Sequence, residues 1–421
     1  MRLLSEFVSE HLADDTTRLI LNKDKWPEID MQLAVNCIES RRKLKGKVQE
    51  WYDDQRLIFP IRLSSEQCSS SATALYKANL AERICQKDGL KAWNLADLTG
   101  GLGVDSWFFS KRAEKVLYNE MQTQLCKASE YNFGLLGASN IVISNKAIIS
   151  GKSKTENEIS PEELLKNFKP DIVFIDPARR SETGKKVFLI EDCCPDVLTL
   201  KDEIFRQSRN ILIKLSPMAD IAMVCSRLGE QCREIHVVGA GGECKELLIW
   251  MDKEWKGEYT IHTVELDNSS EPHTFTFLPS EEKSASADYS CEDPSLARYL
   301  FEPGKAMMKA GCYNLISVKY GLTKLGKSTH YYITSDYQTA VRLKGLGKIY
   351  KIISSSQLDK RSIKSTAKDF PKAEVTARNI PMDTDSLRKK LGVTSGGDAH
   401  IFGLHSDKSG NLLIIGVRES F

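Results

Sequence analysis

The chain has no C-x-x-C pair, no apolar run near the ~18 residues a membrane span needs, no low-complexity tract and no internal repeat. Each absence removes a class of protein. Eleven cysteines are scattered along it and Cys193 and Cys194 are adjacent, so neither a zinc knuckle nor a disulfide framework is expected. The thiols read instead as reduced and mostly buried. The opening Met1-Arg2-Leu3-Leu4-Ser5-Glu6 lacks the apolar core of a secretory signal. A soluble, cytoplasmic protein with no membrane contact and no metal is the expectation.

What is present is ordinary in bulk and uneven in detail. Hydrophobic residues make up 41% and charged residues 28% of the 421 positions, a globular composition in a chain long enough for about two to four domains. The formal net charge is only +2, yet residues 342–372 hold nine Lys/Arg against Asp359 and Asp369. A second basic cluster is Arg41, Arg42, Lys43, Lys45 and Lys47. Each run fits either a solvated face or a nucleic-acid contact.

Apolar spacing in Met31–Ile38 predicts a helix within a helical segment that ends near Pro60 and the Ser-rich stretch 64–71. Another helix follows from Ala72, with Leu75, Ala78, Ala81 and Ile84 on one face. Strands are then expected at Trp93–Leu98, Val116–Asn119, Ile141–Ser144, Asp171–Ile175 and Asn210–Leu215, alternating with helices as in a parallel sheet covered on both faces. Glu234–Val238 and Cys244–Met251 are separated only by Gly239-Ala240-Gly241-Gly242, which leaves no room for a helix and predicts an antiparallel hairpin. Beyond Trp255 the pattern becomes α+β, with a helix around Met307-Met308-Lys309. At the end come a strand at Glu374–Asn379, a helix at Asp383–Leu391 and a hairpin from His400–Leu404 and Leu412–Val417.

Three strand ends carry candidate chemistry. The first is Asp97-Leu98-Thr99-Gly100-Gly101-Leu102-Gly103-Val104-Asp105, a glycine turn that lets a nucleotide-like ligand approach the backbone closely, or else a tight turn that requires glycine. Ser106 stands where a dinucleotide fingerprint would place a third glycine, and Asp97 would repel a pyrophosphate while suiting an ammonium. The second is Glu120, 23 positions after Asp97, whose carboxylate could accept two ribose hydroxyls; Asn145, after the next strand, lies at the level of an adenine edge. The third is Asp176-Pro177-Ala178-Arg179-Arg180. In an open α/β sheet these strand ends share one crevice. Asp176 and the Pro177 carbonyl could hold the N–H groups of a base amine as it attacks a methyl group, and Arg179 and Arg180 suit phosphate binding or stacking.

Through Asp97–Gly103, Glu120 and Asp176-Pro177-Ala178-Arg179 the sequence resembles class I S-adenosylmethionine (SAM) dependent methyltransferases. More narrowly it resembles a bacterial family that joins such a domain to a ferredoxin-like module and a C-terminal THUMP-like module. Ser65-Glu66-Gln67-Cys68-Ser69-Ser70 with Thr73–Ala78, Arg378-Asn379-Ile380-Pro381, Leu387–Leu391 and Gly396-Gly397-Asp398 carry that likeness. It implies a Rossmann-like seven-stranded sheet, parallel with a terminal antiparallel hairpin, and four regions: an N-terminal helical domain (1–70), the methyltransferase domain (71–254), a ferredoxin-like module (255–327) and a THUMP-like domain (328–421). It also implies RNA, ribosomal or transfer, methylated at a base nitrogen.

On that reading Asp176, Pro177 and Arg179 are catalytic, and Asp97, Thr99, Gly100, Gly101, Gly103, Asp105, Glu120 and Asn145 bind SAM. Arg180, Lys77, Lys348, Lys351, Lys360 and Arg361 contact RNA. One departure stands out: amino-methylating relatives place an aromatic residue shortly after the Asp/Asn-Pro pair, and here Ala178-Arg179 occupy that place. An inactive SAM-sensing RNA-binding factor and a methyltransferase of a non-RNA substrate are the alternatives. The hairpin ending and the missing third glycine oppose a NAD-linked dehydrogenase.

Overall fold

A computed structural model describes residues 2–152, 155–179, 190–267, 271–289 and 294–421. The chain forms two compact units, Met1–Ile235 with Glu246–Gly257, and His236–Lys245 with Glu258–Phe421.

The first unit contains the strands β1 (Asn94–Asp97), β2 (Lys115–Asn119), β3 (Ile141–Ser144), β4 (Ile172–Ile175) and β5 (Asn210–Leu215), with the start of β6 (Cys232–Ala240) and the greater part of β7 (Glu243–Asp252). They stand in the order β3-β2-β1-β4-β5-β7-β6. The pairs β1–β2, β1–β4, β2–β3 and β4–β5 are parallel, whereas β7 runs antiparallel to β5. Order reverses on either side of β1, which opens a crevice at the carboxyl ends of β1 and β4. Every residue of β4 is buried, as expected for an interior parallel strand with helices over both faces.

Two of the motif glycines answer to packing. A Cβ on Gly100 would lie 2.2 Å from the Tyr118 ring, and one on Gly103, at φ +91°, would lie 2.6 Å from Phe133. Gly101, at φ +54°, faces open space instead, with only the Thr99 carbonyl at 3.9 Å from the added carbon.

The N-terminal helices pack into the same unit. In Met31–Leu44, capped by Asp30, which accepts from the Leu33 N–H at 3.0 Å, the buried face includes Ala34, Val35 and Ile38. The basic cluster here is largely structural. Arg41 is buried and donates to the carbonyls of Tyr52, Asp54 and Leu57, Arg42 to those of Leu12 and Asp14, and Lys47 to those of Ser65 and Glu66. Asn132, in the helix Thr123–Leu135, clamps the segment after these helices: its Oδ1 accepts from the Ile58 N–H at 2.9 Å and its Nδ2 donates to the Ile58 carbonyl at 2.8 Å.

In the second unit, Thr260–Leu266 and His273–Phe277 pair antiparallel. A seven-stranded sheet follows in the order Thr323–Lys324, Tyr332–Thr334, Tyr299–Pro303, Gly347–Gln357, Gly410–Arg418, Ala399–Ser406, Glu374–Arg378. The last pair is parallel and the others antiparallel. Leu300, Tyr350, Phe402 and Ile414 pack in one core cluster and Val375, Leu387, Leu391 and Ile401 in another.

Replacing the clamp by Asn132→Ala would leave both Ile58 backbone groups buried and unpaired, a loss of about 2–6 kcal/mol at ~1–3 kcal/mol per orphaned group. Urea denaturation measures it, and a loss within experimental error would contradict the clamp.

Candidate active site

Because β1, β2 and β4 are parallel, Asp97, Asn119 and Ile175 finish at one edge of the sheet, and the segments that follow them meet there. The Asp176 N–H donates to the Thr99 hydroxyl at 2.6 Å, tying the third motif to the first. Glu120 ties in the second: Oε2 accepts from the Gly101 N–H at 2.9 Å and Oε1 from the Gln122 N–H at 2.7 Å. Burial pushes the Glu120 carboxyl above its ordinary value, against those backbone hydrogen bonds. A carboxylate has about four lone-pair sites, so Glu120 can hold the turn and still receive ribose hydroxyls.

Below this turn lies a buried group of charges. Lys77 is fully buried, and its Nζ donates to Glu246 Oε1 and Oε2 at 2.8 and 2.9 Å and to the Ser69 hydroxyl at 2.9 Å. It lies 3.3 Å from Asp105 Oδ1, close enough for an ion pair but without hydrogen-bond geometry, since that oxygen has no hydrogen-bond partner. Ser69 in turn donates to Asp105 Oδ2 at 2.8 Å. Lys214, on β5, reaches Asp176 Oδ2 at 2.5 Å. Burial alone would lower the Lys214 pKa, but Asp176, Asp105 and Glu246 together raise it above the usual lysine value. Burial also raises Glu246, with Lys77 and Lys214 opposing. Asp97 accepts from the Thr99 N–H at 3.0 Å and the Ser106 hydroxyl at 2.6 Å, and burial, helped by Asp105 and Asp176, lifts it to about 7. Three carboxylates, Asp105, Asp176 and Glu246, thus lie around two ammonium groups, with Asp97 near enough to Asp105 and Asp176 to feel their charge. The excess of negative charge and the open cradle at Gly101 fit a cationic nucleoside, and SAM carries a sulfonium and an ammonium. Glu120 would hold its ribose, and the turn Thr99–Gly103 its methionine end.

The remaining sequence expectations divide. Lys77 cannot contact RNA, since burial and Glu246 consume its charge; this corrects its assignment. Asp97 and Asp105 have oxygens engaged by the turn and by Ser69. Asn145 donates to the Glu120 and Met121 carbonyls at 2.6 and 3.2 Å and accepts from Thr123, so it fixes the end of β2. Pro177 is buried. Backbone pairing joins Ala178 and Arg179 to Cys194 and Cys193; the Arg179 side chain and all of Arg180 lie outside the described residues. Lys348, Lys351, Lys360 and Arg361 are exposed, in the second unit.

Lys214, Glu246, Ser69 and Ser106 were missed by sequence reasoning. A signal existed for the first two: each is a charge inside a strand otherwise read as buried, and a buried charge needs a partner. A separate cavity of about 420 Å³ is lined by Asp88, Asp171, Arg209 and Asn210, at the amino ends of β4 and β5, away from the edge where ligands of such sheets bind.

Family models match a ferredoxin-like domain at residues 299–340 and a THUMP-like domain at 347–417. The crystal structure of a candidate methyltransferase from Porphyromonas gingivalis W83 superposes with a TM-score of 0.85 at 27% identity, covering 99% of this chain and 98% of that one. A candidate class I SAM-dependent methyltransferase from Listeria monocytogenes aligns at TM-score 0.36 and 9% identity over 64% of this chain and 95% of that one. A candidate methyltransferase from Streptococcus mutans, in complex with SAH, aligns at 0.28 and 14% over 41% and 96%. These last two scores are too low to argue from. No curated protein matches the sequence.

Two outcomes follow from the buried charges. Lys77→Met strands Glu246 and Asp105, a destabilisation of about 3–5 kcal/mol for breaking a buried pair; chemical denaturation reads it, and a neutral result would mean the pair is compensated elsewhere. For Asp97, the folded state keeps a proton that the unfolded chain has released between the ordinary value of 3.8 and about 7. Its contribution to stability is therefore full below the unfolded value and lost as pH rises through about 7. Asp97→Asn fixes the neutral form, so its Tm relative to the parent should climb between about pH 4 and about pH 7 and level off above. A pH-independent difference would refute the raised pKa.

Proposed function

We propose that this chain, which combines the class I methyltransferase fold with a ferredoxin-like and a THUMP-like domain, transfers the methyl group of SAM to a base nitrogen of RNA. The observation that carries the reading is the 2.6 Å bond from the Asp176 N–H to Thr99, which brings the acceptor motif against the cofactor turn. The likeness to the P. gingivalis candidate methyltransferase, over nearly the whole of both chains, supports the methyl-transfer half. The THUMP-like domain and the exposed Lys348, Lys351, Lys360 and Arg361 support the RNA half.

Bound SAM supplies an electrophilic methyl group, so no metal is needed. The chain's own residues do the rest. Glu120 orients the ribose through its free lone pairs, and the surplus carboxylate charge offsets the incoming cation. Asp176 and the Pro177 carbonyl hold the target nitrogen in line with the methyl group. Arg179 and Arg180 suit the substrate's phosphate or base plane.

Calorimetry should show SAM and S-adenosylhomocysteine binding, weakened by Glu120→Gln about 10- to 100-fold, the equivalent of ~1.5–3 kcal/mol for a charge-assisted hydrogen bond. Absence of binding to either would favour an inactive, RNA-binding role. Single-stranded RNA affinity should fall with salt at a log–log slope near −5 if about seven phosphates are neutralised; a flat dependence would point to a substrate other than RNA.

A further inference from the structure

Lys214 lies on β5 within Asn-Ile-Leu-Ile-Lys-Leu, and its side chain is only 13% exposed. The groups that face it come from separate elements: Asp176 after β4, Asp105 in the helix Val104–Ser110, Glu246 on β7 and the Cys68 thiol. Lys77 lies beyond Glu246 and Asp105. The three carboxylates keep Lys214 a cation. Among the described residues only Asp176 accepts a hydrogen bond from it, and an ammonium has three donors. The crevice therefore offers a carboxylate acceptor and a fixed cationic donor side by side.

Hydrogen bonding alone would not tell this pair which base to take. An amino edge, in adenine or cytosine, sets an exocyclic N–H beside a ring-nitrogen acceptor, and a lactam edge, in guanine or uracil, sets a ring N–H beside a carbonyl oxygen. Charge separates them. A cation on the ring nitrogen beside an amine draws electron density from that amine and makes it a poorer nucleophile. A cation on a lactam oxygen stabilises the anion left when the ring N–H is lost, and that anion is the nucleophile.

We propose that Asp176 and Lys214 together recognise the lactam edge of guanine or uracil, Asp176 accepting the ring N–H proton and Lys214 holding the charge that develops on the adjacent carbonyl oxygen. This rests on the reading of the chain as an RNA methyltransferase. The N–H bond breaks and its proton passes to the Asp176 carboxylate. The nitrogen's freed pair forms the bond to the methyl carbon, whose bond to sulfur breaks with its pair remaining on sulfur. Carboxylate and sulfonium become neutral acid and neutral thioether, so charge balances, and the proton leaves to water.

The test uses the full chain, radiolabelled SAM and total RNA from cells lacking the gene, followed by nucleoside mass spectrometry. Label in N1-methylguanosine or N3-methyluridine is expected and says which base is taken. Label in any other nucleoside, N6-methyladenosine or N4-methylcytidine above all, overturns the lactam assignment and leaves RNA methylation standing. No label, from a protein that binds SAM calorimetrically, removes RNA methylation and this inference with it. Lys214→Gln should lower kcat about 100-fold near neutral pH, in the range seen when one donor to a developing anion is lost. The deficit should shrink as pH rises and the base ionises unaided, and Lys214→Arg should keep most of the rate. A deficit constant with pH would reduce Lys214 to a structural ion pair; should the variant fail to fold, the nucleoside assay with the parent protein still decides.

Discussion

The crevice depends on the compensation of buried carboxylates by two buried ammonium groups. An isolated ionised side chain costs several kcal/mol to bury, and the attraction of a partner repays this only when geometry is good and the remaining hydrogen bonds are made. Lys77 meets that condition with three acceptor contacts, on Glu246 and Ser69. Those contacts reach across the fold, from the helix Ser71–Lys87 to β7. The segment before the sheet is therefore part of the site's foundation. It supplies Ser69, which bridges Lys77 to Asp105 one turn beyond the glycine motif.

Lys214 plays the corresponding part on the substrate side. It sits among Asp176, Asp105 and Glu246, so the two lysines share the same carboxylates. Loss of either would disturb the position of Asp176, although Lys77 is remote from the crevice mouth. This explains how a helix with no ligand contact can matter to a site built at strand ends. Thr99 adds a neutral link from the Asp176 backbone, which fixes the chain while the ion pair fixes the side chain.

Much of this was legible in the sequence. Ile141–Ser144 and Asn210–Leu215 have in the structure the bounds that the sequence predicts, because each is a short apolar run closed by polar turn residues. The hairpin of β6 and β7 is legible because so short a glycine-rich turn between two strands admits no crossover helix. The charge network was not legible, for a physical reason. A lysine within a helix reads as surface, and only the fold shows that Lys77 points at Glu246, 169 positions away. The glycine motif was half legible: Gly100 and Gly103 answer to Tyr118 and Phe133, contacts that sequence spacing does not encode, while Gly101 alone is left facing open space.

The surplus of negative charge also bears on how the pocket stays folded when empty. Burial lifts the Asp97 carboxyl to about 7, and the neighbouring Asp105 and Asp176 add to that rise. A proton on Asp97 removes one negative charge beside Asp105 and Asp176. A cation entering the crevice offers the same compensation by Coulomb attraction, which in such a weakly screened site acts over several ångströms. The proton and the incoming cation therefore compete to balance one charge. The glycine turn, whose Thr99 N–H and Ser106 hydroxyl both bond Asp97, is the backbone through which that competition is felt.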